Sequence, residues 1–173
     1  MAKICINAGH TKTGAGSGAE YKGFNEGQIV REVAASLAEK LRQKGHTVTN
    51  ATVDKALTQN AYLRGVCARE NASGAELFIS IHCNASATHL GKGVECFTWK
   101  GKKVKQAVRI CDNLADLGFK NRGVKDGSKL YVVKHTKATA VLVELFFLDN
   151  PTDRALFMKH GADKIAAAIA AAV

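Results

Sequence analysis

Four ionisable residues stand in segments whose hydrophobic pattern would draw them inward: His10, Glu26, His82 and Glu144. Glu144 interrupts the most apolar run of the chain, Ala140-Val141-Leu142-Val143-Glu144-Leu145-Phe146-Phe147-Leu148. Such a run reads as a strand buried on both faces, where an unpaired ionised carboxylate is costly. Two accounts fit it: an ion pair or an edge position that reaches water, and a catalytic carboxylate at a strand end. His10 and His82 close two other strand-like segments, Asn7-Ala8-Gly9-His10 and Ser80-Ile81-His82-Cys83-Asn84. Glu26 follows Asn25, which reads as a helix N-cap with Gln28 completing a capping box. Its spacing sets it on the apolar stripe of Val30, Val33 and Leu37. An acid in a first turn also complements the helix dipole, by ~0.3–1 kcal/mol, and a single histidine is more often structural than a ligand. Together, however, two His and one Glu form a ligand set for catalytic zinc, with water in the remaining position. Zinc lowers the pKa of that water towards ~7, and a second, unligated carboxylate can shuttle its proton to a leaving amine. In that arrangement His10, Glu26 and His82 are the metal ligands and Glu144 is the acid–base residue.

These residues need strands that end at a common rim. The pattern predicts a first strand over Lys3–Ala8, a glycine-rich loop over Gly9–Gly23 and a helix over Asn25–Lys44. A short second strand follows at His46–Thr49. A helix over Ala56–Ala72 has Leu57, Ala61, Leu63 or Arg64, and Ala68 along one side. Strands are expected at Glu76–His82, Gly93–Trp99, Lys129–Lys134 and Ala140–Phe147, with a helix over Val104–Leu117. Asn150-Pro151-Thr152-Asp153 opens the last helix with a cap, a proline at its first position and an acid in its first turn. Alternating strands and helices predict one domain over residues 1–173, a three-layer α/β/α sandwich around a mostly parallel, roughly six-stranded sheet. Functional groups in such sheets gather beyond the carboxyl ends of the strands.

The formal net charge of +10 implies attraction to a polyanion or a solvated basic face. Lys100-Gly101-Lys102-Lys103-Val104-Lys105 and the region from Lys120 to Lys137 carry much of it. No interleaved aromatics and no helix-turn-helix or RNA-binding signature accompany them, which argues against nucleic acid; an anionic cell wall fits. The start of the chain lacks the apolar core and cleavage site of a signal peptide, and no run is long and apolar enough to cross a bilayer. Cytoplasmic synthesis is therefore expected. Five widely spaced cysteines without a C-x-x-C pair read as reduced, packed thiols.

The chain resembles the zinc-dependent N-acetylmuramoyl-L-alanine amidases of the amidase-3 type, which include bacterial autolysins and clostridial phage endolysins. The resemblance rests on Ile4-Cys5-Ile6-Asn7-Ala8-Gly9-His10, Gly23-Phe24-Asn25-Glu26, and Leu63-Arg64 through Asn71-Ala72 with Leu77 to Ala85. It continues through Gly93-Val94-Glu95, Asn121-Arg122-Gly123-Val124-Lys125 and Val141 to Asn150, in family order. It implies one zinc ion on His10, Glu26 and His82, a catalytic Glu144, and cleavage of the bond between the lactyl group of N-acetylmuramic acid and L-alanine. Peptidoglycan is the implied substrate, with anionic wall polymers as further partners, and the enzyme would act as a monomer at the wall after release. Asn84 and Arg122 are candidates for substrate binding; a turn or a salt bridge is the alternative for Arg122. The chain departs from the family at Val48–Asp54, which lacks a common Arg, and at Phe146, where Gly is frequent.

Three rival readings stand beside this one. Cys83 as a nucleophile next to His82 conflicts with strand alternation, which turns neighbours to opposite faces. The others are a peptidoglycan endopeptidase and a wall-binding module without catalysis. No separate wall-binding domain is expected within the chain. His46, His89, His135 and His160 are expected at the surface, with His89 and His135 as rim candidates.

Overall fold

The computed structural model describes all of residues 1–173. Its main strands are β1 (Lys3–Ala8), β2 (Thr47–Asn50), β3 (Leu77–Asn84), β4 (Val94–Thr98), β5 (Asn121–Asp126) and β6 (Thr139–Phe147). The helices are α1 (Glu26–Gln43), α2 (Gln59–Ser73), α3 (Lys105–Ala115), α4 (Tyr131–His135) and α5 (Pro151–Ala170). The six strands form one sheet in the order β2-β1-β3-β6-β4-β5. β2, β1, β3 and β6 run parallel, β4 pairs antiparallel with β6, and β5 is parallel to β4. The mostly parallel α/β/α sandwich is as expected.

β3 and β6 are central and apolar because helices cover both of their faces. Alternation along them divides the interior in two. Ile79, Ile81, Val141 and Val143 face α1, α3 and α5 in a core of 31 buried residues. Phe78, Ala140 and Leu142 face α2 and α4 in a core of 11. Most of the hydrophobic stabilisation therefore comes from the first face, where α1 presents Val30, Val33, Leu37 and Leu41.

Four expectations are corrected. Lys129–Lys134 is not a strand: only Val132 and Val133 are buried, and α4 seats these adjacent residues on the smaller core. The edge strand is the preceding Asn121-Arg122-Gly123-Val124-Lys125-Asp126, half exposed and polar, so it lacks the apolar alternation that announces a strand. α2 starts after the cap Thr58 and buries Tyr62, Val66, Cys67 and Glu70, while Leu57, Ala61 and Ala68 are exposed. The capping box is half made: the Asn25 side chain accepts from Gln28 N at 3.0 Å, but the Gln28 amide donates to Glu32.

At α5, Asn150 accepts from Thr152 N and Asp153 N, with Pro151 in the first turn. Asp153 does more than complement the dipole: it accepts from Gly93 N and Phe147 N, tying the start of β4 to the end of β6. Phe146 is fully buried and stacks on Phe119 and Phe157. Its departure from the family therefore fills the larger core rather than altering the rim.

Candidate active site

The carboxyl ends of β1, β3 and β6 carry the expected residues to one rim. His82 near the end of β3 is the register partner of Glu144 on β6, and Glu144 is in turn the partner of Glu95 on β4. These three form a row across adjacent strands, with backbones about 4.8 Å apart. A register shift between Glu144 and Phe147 puts a bulge just beyond Glu144, so Leu145 and Phe146 both turn into the larger core.

His10 and Glu26 reach the row from outside the sheet. Gly9 N continues the ladder by donating to Ile81 O at 2.8 Å, and His10 then turns at φ 65°. A side chain at Gly9 would place its Cβ 2.4 Å from the His82 ring, so a glycine is needed there for His82 to lie against β1. Glu26, at the start of α1, is 3 % exposed. Its Oε1 accepts from Cys83 N and its Oε2 from Ala19 N, both at 2.9 Å.

His10 Nε2 lies 2.9 Å from Glu26 Oε1 and 3.1 Å from His82 Nδ1, which is 3.6 Å from Glu26 Oε1. The candidate donor atoms of all three residues fall within 4.8 Å of one another and could hold a metal ion. The Gly16 carbonyl, 3.0 Å from His10 Nδ1, can only accept, so Nδ1 carries a proton and Nε2 faces the cluster. This is the orientation a metal-binding imidazole adopts. The donor set therefore fits a zinc ion.

The electrostatics differ between the two imidazoles. Burial alone would raise the Glu26 pKa, yet the imidazoles of His10 and His82, 2.9 and 3.6 Å from its Oε1, hold it well below the carboxylate range. Burial lowers the His82 pKa more than Glu26 raises it, favouring the neutral ring that ligates metals. For His10 burial also lowers the pKa, but the Glu26 hydrogen bond and charge outweigh it and the net direction is up. Burial, followed by the charges of Glu26 and Glu95, pushes Glu144 up to about 8. Glu144 Oε2 is buried and has no hydrogen-bond partner, and no Arg or Lys pairs with the half-buried carboxylate, so an ion pair does not account for it.

Asn84 and Arg122 converge on a residue to which no role was assigned from sequence. Asn84 Nδ2 donates to Glu95 Oε1 at 2.8 Å and Arg122 Nε to Glu95 Oε2 at 2.7 Å. The guanidinium also lies 4.9 Å from the centre of the Phe147 ring. Arg122 thus makes the salt bridge that was the alternative for it. Glu95 was legible as an acid in an apolar strand, the same signal that Glu144 gives, but the run around it is short. Cys83 is buried on the larger-core side, away from His82, with its thiol pKa pushed well up by burial.

Two other histidines are not simple surface residues. The half-buried His46 ring accepts from Ala2 N, and the His160 ring bonds Leu117 O. His135 is exposed and stacks on Tyr131. His89 is exposed at φ 56° with Nδ1 2.7 Å from the buried carboxylate of Asp149. All five cysteines are free and buried, and no helix is long and apolar enough to cross a membrane.

Comparison with known proteins places these features in context. The sequence profile of the family described as N-acetylmuramoyl-L-alanine amidase matches residues 4–173. The uncharacterised protein CPE1502 of Clostridium perfringens is 34 % identical over 177 residues, covering 99 % of this chain and 51 % of that protein. The endolysin of Bacillus phage SPP1 is 29 % identical over 165 residues, covering 90 % of this chain and 58 % of that protein. The chain thus spans little more than half the length of these two relatives. Among solved structures, the catalytic domain of the CD27L endolysin targeting Clostridia Difficile superposes with a TM-score of 0.91 at 38 % identity. That match covers 100 % of this chain and 97 % of the other.

Proposed function

Given that the chain belongs to the N-acetylmuramoyl-L-alanine amidase family, we propose that it hydrolyses the amide joining N-acetylmuramic acid to L-alanine in peptidoglycan. In this reading residues 1–173 form a single catalytic domain that acts as a monomer on the bacterial wall after release from the cytoplasm. The observation that carries the reading is the convergence of His10, Glu26 and His82 beside the unpartnered Glu144 carboxylate.

His10, Glu26 and His82 hold one zinc ion. When bound, zinc polarises the scissile carbonyl and brings the pKa of the attacking water to about 7. The chain's own residues do the rest. Glu26, clamped by Cys83 N and Ala19 N, orients the two imidazoles. Glu144 takes the water's proton and returns it to the departing alanine nitrogen, the transfer for which a carboxylate with a raised pKa is suited. Glu95, fixed by Asn84 and Arg122, keeps a negative charge beside Glu144 and so maintains its basicity. Asn84 and Arg122 thereby act through Glu95.

Mass spectrometry of wall digests tests the bond cut, since an amidase releases stem peptides with a free L-alanine amino terminus. An endopeptidase would cut within the peptides, and a wall-binding module would cut nothing. Glu144→Gln should abolish release while zinc stays bound in a metal assay, and a chelator should silence the wild type. Hydrolysis at normal rate in either case would overturn the mechanism.

A further inference from the structure

At the pole of the sheet opposite the rim, a groove of about 400 Å³ opens between the end of β4, the segment after it and the end of α4. Thr139 and Ala140, which start β6, form part of its wall. Thr139 and Glu144 lie five steps apart along the strand, about 17 Å at the usual rise, so an occupant of the groove would not touch the candidate active site.

The lining is of two kinds. Val104, Val133, Ala138 and Ala140 give an apolar floor, and Lys102, Lys134 and Lys137 stand around it with no acid among the lining residues. All three lysines are exposed, and none takes part in any of the ion pairs of the structure. Glu70, behind the groove, is 1 % exposed and aims its oxygens at the backbone N–H groups of Lys137 and Ala138. Asp126, near the Trp99 turn, accepts from Ser128. Neither carboxylate forms an ion pair with the three ammonium groups.

Trp99, the only tryptophan of the chain, lines the same groove and leaves 38 % of its surface exposed. Lys100 holds its ammonium 5.9 Å from the Trp99 ring, from a backbone at φ 53° that non-glycine residues seldom adopt. An exposed ring flanked by unpaired ammonium groups offers a stacking surface and phosphate-binding charges together.

We propose that this groove binds a phosphodiester-bearing wall polymer, with its sugar or polyol unit on Trp99 and its phosphates against Lys102, Lys134 and Lys137. The choice of a wall polymer among polyanions rests on the amidase reading; the presence of an anion site rests on the groove alone. The site would hold the enzyme on the wall through a face that leaves the catalytic rim free.

Trp99 serves as its own reporter. Titration of the zinc-loaded chain with soluble poly(glycerol phosphate) should change tryptophan emission saturably. The double variant K134A/K137A should bind about tenfold more weakly and lower the slope of log affinity against log salt by about 1–2. A control, K159A/K164A, removes the same charge from exposed positions of α5 and should alter affinity by less than about twofold. Both variants should keep the wild-type melting temperature and the wild-type hydrolysis of a small soluble muropeptide. The proposal is overturned if emission does not respond or if the two variants weaken binding equally. It is also overturned if single-stranded DNA of matched charge binds as well, since the surface is then a general polyanion face. Failure of muropeptide hydrolysis in the wild type would instead refute the amidase reading, whatever the titration gives.

Discussion

Replacing Glu144 with Gln should make the metal-free protein more stable as the pH rises, relative to wild type, even as it removes activity. The Glu144 pKa is pushed from 4.5 to about 8 in the folded chain, so the folded state retains a proton that the unfolded state releases. For a carboxylate shifted upward, the native state is undisturbed below pH 4.5 and loses stability as the pH climbs to about 8. Each pH unit in that window is worth about 1.4 kcal/mol. Between pH 5 and 8 the wild type should therefore lose up to about 4 kcal/mol that Glu144→Gln keeps, or about 2 kcal/mol if water enters beside the half-buried carboxylate. Glu26 shifts the opposite way and titrates below the window, so it does not blur the comparison. Urea unfolding of both chelator-treated proteins at the two pH values measures the difference of differences, in which the neutral cost of a buried amide cancels. A gap that is the same at pH 5 and pH 8 to within about 0.5 kcal/mol would refute the argument that burial and like charge hold the Glu144 proton. Adding zinc should shrink the gap, because a nearby dication favours the ionised carboxylate.

Other outcomes follow from the same geometry. Gly9→Ala should weaken zinc binding at least about tenfold by titration calorimetry, since its Cβ would meet the His82 ring at 2.4 Å. Arg122→Ala should cost about 2–4 kcal/mol in denaturant unfolding by leaving the buried Glu95 carboxylate short of its cation. Adding Glu95→Gln to it should recover part of that loss, and full additivity in the cycle would deny the pair. Cys83→Ala should leave release of new amino termini within about twofold of wild type, with a stability cost of about 1 kcal/mol for the lost core sulfur. A collapse of turnover there would restore the cysteine as a nucleophile.

Local pattern alone carried much of this protein. The strand ends at His10 and His82, the cap at Asn25 and the acid in the run around Glu144 were all legible, because each depends on neighbours within a few residues. The period of α1 likewise announced that Glu26 faces inward. The pattern failed where burial is one-sided or slight. Val132 and Val133 look like strand residues until α4 packs them on α2, and β5 is too polar to declare itself as an edge. The α2 stripe slipped by one position because its cap is Thr58 and its inward face includes the polar Tyr62 and Glu70.

Distance in the chain set the other limit. That Glu144 sits between His82 and Glu95 follows from β6 pairing with β3 on one side and β4 on the other, which no local spacing encodes. The same pairing brought Asn84 and Arg122 together on Glu95. It also brought Trp99 beside Lys134 and Lys137 across more than 30 residues of chain. Sequence alone showed that Glu26 and Glu144 carry charge inward, because burial is written in periodicity. Only the tertiary structure decided which charges meet, because strand order is settled by the packing of whole faces.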